Sequence, residues 1–208
     1  MRFVVISDTH SHHHELTLPA GDTIIHAGDI SEMGTISEVK DFLEWFAALD
    51  FKHKIFIGGN HDIYLDEFAP DFSAMLPPEV TYLRNNGCTI EGIKCWGSPV
   101  SPDLIGWAFG KYRSEMAAHW RYMPEEIDIL ITHTPPYGIL DQSSSRVSLG
   151  CPHLLTKVQQ IQPKYHIFGH IHAGYGEMMI EDTVFINASI MDTYRGPVNF
   201  PLVFDYSK

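Results

Sequence analysis

Arg2-Phe3-Val4-Val5-Ile6-Ser7-Asp8-Thr9-His10 opens the chain with an apolar run that stops on an Asp-x-His triplet. Such a run predicts a strand buried on both faces, and residues two apart in extended backbone share a side, so Asp8 and His10 can converge on one site. The pattern recurs downstream. Thr23 to Gly28 runs into Asp29, and Lys54 to Ile57 into Gly58-Gly59-Asn60-His61-Asp62. Ile127 to Thr132 runs into His133, and Tyr165 to Phe168 into Gly169-His170-Ile171-His172. Each predicted strand delivers Asp, Asn or His at its carboxyl end, where open α/β sheets bind ligands.

Between these strands, Ile36, Val39, Phe42, Leu43 and Phe46 fall at helical spacing, with Thr35 and Glu38 placed as a capping box. Leu154 to Ile161 predicts a second helix, and short connections between strand and helix predict a largely parallel sheet. Hairpins are expected over Cys88 to Trp96 and over Glu177 to Ile186, turning at Glu181-Asp182, with a last strand from Pro201 to Tyr206. From Asp66 to Trp120 the pattern otherwise dissolves into turn signals such as Pro77-Pro78 and Asn85-Asn86-Gly87. Gln142-Ser143-Ser144-Ser145-Arg146 reads as a mobile surface loop. With 208 residues, no repeat and no linker, a single domain over residues 1–208 is expected.

A net charge of -12 offers no basic track for duplex nucleic acid. No apolar run approaches the ~20 residues that cross a bilayer, and the start turns polar too soon for a signal peptide, so a cytoplasmic protein without a membrane partner is expected. Cys88, Cys95 and Cys151 show no CxxC spacing, which argues against a disulfide framework or a thiolate zinc site. Oligomeric state is not legible.

Carboxylate, amide and imidazole donors without thiolate suit manganese, iron, zinc or a related divalent ion, and the set is large enough for two. Gly28, Gly58, Gly59 and Gly169 precede the polar residues and allow close backbone approach. Other polar groups get plainer readings. His12, His13 and His14 cannot all face one site and are read as a solvated loop; His26, His53, His119, His153 and His166 are read as core or surface residues. Arg113, Arg146 and Arg195 are read as surface residues and given no phosphate role. Asn187-Ala188-Ser189 is read either as a turn or as a segment whose amide contacts phosphate. Most aromatics are assigned to the core, with Trp107, Phe109 and Tyr137 as candidates for a nucleobase platform.

Taken in order, Asp8-x-His10, Gly28-Asp29, Gly59-Asn60-His61-Asp62, His133 and Gly169-His170-x-His172 resemble the signature of calcineurin-like metallophosphoesterases. The match extends through Ile25-His26-Ala27-Gly28-Asp29, Ile131-Thr132-His133-Thr134-Pro135-Pro136 and Ile186-Asn187-Ala188-Ser189. These segments are similar to the metallophosphoesterase-domain-containing subgroup known from animal brain. The resemblance implies an α/β fold of two packed mixed sheets flanked by helices. It implies one divalent ion on Asp8, His10, Asp29 and His172, and a second on Asp29, Asn60, His133 and His170, with Asp29 bridging. Mn2+ is the first expectation, with Fe, Zn, Co or Mg as alternatives.

The same resemblance makes His61, with Asn60, the group that meets the scissile phosphate, and Asp62 the residue that orients the His61 ring. The implied reaction is metal-dependent hydrolysis of phosphodiesters in small substrates such as cyclic nucleotides. A phosphomonoesterase or protein phosphatase with the same dinuclear site is the alternative; a nuclease or a noncatalytic scaffold ranks below. Some animal members carry Gly where His170 stands, so its presence here implies a fuller second site and higher activity.

Overall fold

The computed structural model describes residues 1–192 and 196–207. Strands β1 (Arg2–Ile6), β2 (Thr23–Ala27), β3 (His53–Ile57) and β4 (Val80–Tyr82) run parallel to their neighbours. A second group comprises β5 (Asn86–Ile90), β6 (Ile93–Ser98), β9 (Ile129–Thr132), β10 (Tyr165–Phe168), β11 (Gly176–Ile180) and β12 (Thr183–Asn187). Short β7 (Ser101–Pro102) and β8 (Gly110–Lys111) form a separate pair, and β13 (Leu202–Asp205) returns to β1. The main sheets have the orders β13-β1-β2-β3-β4 and β11-β12-β10-β9-β6-β5. Both are mixed: β13 is antiparallel to β1, while β11 and β5 are antiparallel edges on a parallel centre.

The two mixed sheets that the resemblance implies are present, packed through a shared core, and the largely parallel pattern read from the strand-helix alternation holds at their centres. Alternation explains it. Phe3 and Val5 of β1 join Ile25, Ile55, Ile129 and Ile167 in the layer between the sheets, whereas Val4 and Ile6 join the cluster under the helices. Strands apolar on both faces read as unbroken runs because each face meets a different layer.

Helix α1 (Ile36–Ala48) carries the expected capping box: Glu38 N–H donates to Thr35 Oγ1 at 3.3 Å, and Thr35 N–H to Glu38 Oε2 at 2.8 Å. Its apolar face buries Val39, Phe42, Leu43 and Phe46. Helices α2 (Ile63–Glu67), α3 (Ala69–Met75) and α4 (Met116–Trp120) are short, and α5 (Pro152–Ile161) starts with proline in its first turn. The segment from Asp66 to Trp120, where turn signals prevailed outside the hairpin, thus holds the end of α2 and all of α3, β4, β7, β8 and α4, each too brief to show a period. Both expected hairpins form, β5–β6 and β11–β12. All three cysteines are free, and among the described residues no helix is long and apolar enough to cross a membrane.

Candidate metal centre and active site

The two sheets meet where their strands end. Ser7 pairs in parallel with Ser189 as an isolated bridge, and Ile190 N–H donates to the Ser7 carbonyl at 2.9 Å. Loops of the first sheet, bearing Asp8, His10, Asp29, Asn60 and His61, therefore face loops of the second, bearing His133, His170 and His172. Main-chain bonds continue past the strands: Asp8 N–H donates to Gly28 O at 2.9 Å, His10 N–H to Asp29 O at 3.1 Å, and Gly169 N–H to His133 O at 3.1 Å.

Those bonds hold an unusual backbone. Asp8 (φ 54°), His10 (φ 43°), Asp29 (φ 56°) and His170 (φ 66°) are all left-handed. For residues other than glycine such conformations cost roughly 1 kcal/mol or more each and persist only where the surroundings over-determine them. The glycines between them are steric necessities. A Cβ on Gly59 would stand 2.2 Å from Asp29 Oδ1, and one on Gly169 2.1 Å from Asp8 Oδ2.

The structure brings the seven expected donors together. Asp8, His10 and His172 form one group and Asp29, His133 and His170 another, each with donor atoms within 4.8 Å of one another. Asp29 Oδ2 lies between the groups, 3.8 Å from His10 Nε2 and 3.2 Å from His133 Nε2. Asn60 Oδ1 stands 3.0 Å from His133 Nε2.

Hydrogen bonding fixes what these rings present. His133 Nδ1 lies 3.0 Å from the Ala27 carbonyl, and His172 Nδ1 3.0 Å from that of Asp192; a carbonyl only accepts, so both Nδ1 atoms carry protons. Each Nε2 faces oxygens that only accept: His133 faces Asp29 Oδ2 at 3.2 Å and Asn60 Oδ1 at 3.0 Å, and His172 faces Asp8 Oδ1 at 3.5 Å. A proton on Nε2 satisfies these contacts, and a divalent ion can take that proton's place.

Electrostatics agree. Burial opposes charge on both rings, yet Asp29 lifts His133 to about 9 and Asp8 lifts His172 to about 9, so these nitrogens recruit positive charge, whether proton or metal ion. Burial pushes the Asp8 carboxyl up, but His172, His133 and His10 pull it well below the usual range. Burial holds His170 down to about 4, leaving its ring neutral and able to ligate. The donor set therefore fits divalent ions.

His61 lies beside the donors without joining them. Its Nδ1 donates to the Glu32 carbonyl at 2.7 Å, and its ring packs edge-on to His10 at 4.6 Å and against Trp107 at 4.8 Å. The expected role of Asp62 needs correcting. Its carboxylate accepts from Gly59 N (2.7 Å), Ile30 N (3.2 Å), Ser31 N (3.0 Å) and Ser31 Oγ (2.6 Å), so it ties the β2 and β3 loops together. Burial and the neighbouring Asp29 raise it to about 6, and the Glu32 carbonyl does the orienting of His61.

Glu32 gave no sequence signal, yet its carboxylate also stands 3.1 Å from His10 Nδ1, an ion-pair distance without hydrogen-bond alignment that puts negative charge behind that ring. Ser189 Oγ donates to Asp8 Oδ2 at 2.7 Å. The Asn187 amide is committed to the carbonyls of Leu140 (3.1 Å) and Ile171 (2.9 Å), so it braces the loops and does not face phosphate. His26, read as a core residue, accepts from Gly28 N–H through Nδ1 and so donates from Nε2 to Thr9 Oγ1 at 2.9 Å.

A cavity of about 290 Å³ opens over His10, Asp29, Asn60, His61, His170 and His172. Ser143, Ser144 and Leu149 close its far side, so the loop read as plain surface is a wall of the pocket. Of the three aromatic candidates, Trp107 is half-exposed beside His61. Phe109 is buried under the Arg84 guanidinium, and Tyr137 lines a different groove with Leu155 and Ile180. Arg113 pairs with Asp103, exposed Arg146 makes no ion pair among the described residues, and Arg195 lies outside them. His13 departs from its reading as a solvated residue: it is fully buried.

Comparison with known proteins follows the same outline. The family model described as calcineurin-like phosphoesterase matches residues 1–174. Metallophosphoesterase domain-containing protein 1 of Homo sapiens is 39% identical over 98% of this chain and 70% of its own length. A UPF0046 protein of Caenorhabditis elegans is 37% identical over 98% of this chain and 74% of its own. The backbone also superposes on a solved structure with a TM-score of 0.69 at 15% identity, covering 89% of both chains, a likeness of fold alone.

Proposed function

Because the chain belongs to the calcineurin-like phosphoesterase family, we propose that it hydrolyses phosphodiester bonds of small substrates, cyclic nucleotides among them, using two divalent ions. Asp8, His10, Asp29 and His172 hold one ion, Asp29, Asn60, His133 and His170 the other, and Mn2+ is the first choice for both. When bound, the ions supply Lewis acidity to phosphoryl oxygens and bring the pKa of water toward neutrality.

The chain's own groups do the rest. Asp29 sets the spacing of the two halves, since one carboxylate faces both His10 and His133. His61 is held by the Glu32 carbonyl through Nδ1, which leaves Nε2 free to carry a second proton and, with it, to stabilise charge on phosphate or protonate the leaving oxygen. Asn60 lines the same cavity beside His61, within reach of a phosphate bound there.

The observation that carries the small-substrate reading is the cavity of about 290 Å³ lined in part by His61, against whose ring Trp107 packs at 4.8 Å. A phosphate over the metals would place one ester arm near a half-exposed indole, the kind of face on which a nucleobase stacks. The test is Mn2+-reconstituted protein assayed on 2',3'- and 3',5'-cyclic nucleotides, bis-p-nitrophenyl phosphate and p-nitrophenyl phosphate. Diesters are expected to outpace the monoester in kcat/KM; faster turnover of the monoester replaces this reading with a phosphatase.

A further inference from the structure

We propose that the chain carries a third metal site, outside the catalytic pocket, where His13, His14 and Asp41 bind one borderline divalent ion, Zn2+ above all. His13 and His14 belong to a short 3-10 turn over His13–Glu15 in the loop after β1, and Asp41 lies on α1. His13 Nε2 is 3.0 Å from Asp41 Oδ2, and His14 Nε2 is 3.1 Å from Oδ1 and 3.2 Å from Oδ2 of the same carboxylate. One donor atom from each residue lies within 4.8 Å of the other two.

A surface ion pair accounts for His14 and Asp41 but not for His13. That side chain is fully buried, packed against Trp45 at 4.9 Å and Phe42 at 5.6 Å, and neither ring nitrogen has a hydrogen-bond partner. Its closeness to Asp41 is spacing without hydrogen-bond alignment. Two ligands of one ion, each bound at roughly 2.1 Å, stand about 3 Å apart with their lone pairs aimed at the ion between them. Burial, with His14 beside it, pushes His13 down to about 4, so its lone pairs are unprotonated at neutral pH.

Two imidazoles and one carboxylate, with Asp41 and His14 open to water for a fourth ligand, match zinc and its neighbours better than magnesium or calcium, which favour all-oxygen shells. His12 is excluded, its Nδ1 taken by Glu15 at 2.7 Å. None of the three residues lines the catalytic cavity. An ion here would pin the loop that carries Asp8 and His10 to α1, and so brace the catalytic floor from behind.

The test counts ions. Full-length protein without a histidine tag is stripped by chelation and dialysed against Zn2+ to saturation. Bound zinc is then measured by elemental analysis beside Asp41→Ala and His14→Ala, both at exposed side chains. Wild type is expected to hold one more Zn2+ per chain than either variant. Because the readout is a difference, it does not depend on how many ions the catalytic centre takes or on which substrate it turns over. Equal counts in all three proteins overturn the site, and circular dichroism of the variants verifies that they remain folded.

Discussion

On the floor of the pocket Asp8, Asp29 and His133 are buried and held by main-chain and side-chain hydrogen bonds. Toward the rim, Leu149 of the lining is 44% exposed and Ser144 faces water, and Trp107, which packs on His61 outside that lining, is 47% exposed. The floor is assembled from strand ends of both sheets; the rim comes from irregular segments after α2 and around residue 143. Residues whose positions are over-determined set the chemistry, which tolerates little displacement. On the proposed function, residues of the exposed loops choose what is admitted and can change without disturbing the donor set.

The sharpest test of that division is Asp29→Asn. Removing the charge shared by both halves should lower kcat/KM on the order of a thousandfold and reduce bound Mn2+, while thermal unfolding shifts little. A Trp107→Ala variant equally damaged in kcat would break the division outright. Next in size is His61→Ala, expected to lower kcat about a hundredfold with metal content unchanged. Loss of metal along with rate would move His61 into the floor's donor set.

On the rim, Trp107→Ala should raise KM for a cyclic nucleotide roughly tenfold, as the loss of one stacking face implies, with kcat within about twofold. An unchanged KM would mean that the indole only packs on His61. Smallest is Thr35→Ala, which reaches the floor only indirectly, through Glu38, whose carboxylate also accepts from Ser11 Oγ and Glu32 N–H. Loss of its cap should lower stability by about 1 kcal/mol in urea denaturation and leave kcat/KM alone.

The floor was legible from sequence because each of its strands is apolar on both faces, so the point where Ile6, Ala27, Ile57, Thr132 or Phe168 gives way to polar residues is unmistakable. Thr35 and Glu38 were legible because a capping box is local in sequence. The rim was not. Helices α2 and α4 span five residues each and β7 two, lengths over which neither period 3.6 nor period 2 can express itself. Glu32 escaped because half its work is done by a carbonyl, which every residue has. Asp62 was misjudged because proximity in sequence to His61 says nothing about which loop its carboxylate faces. Buried His13 looked like part of a solvated histidine run because its cover, Trp45 and Phe42, comes from a helix distant in sequence.

The left-handed backbone at Asp8, His10, Asp29 and His170 also shapes which descendants of this protein are reachable. Such positions resist β-branched replacements but accept glycine without strain. A single change at His170 to glycine therefore removes one imidazole while leaving the loop path, the Gly169 contact with Asp8 and the sheet junction intact. Donor set and architecture are separable here by one residue replacement, and the replacement that removes this imidazole is the one the main chain opposes least.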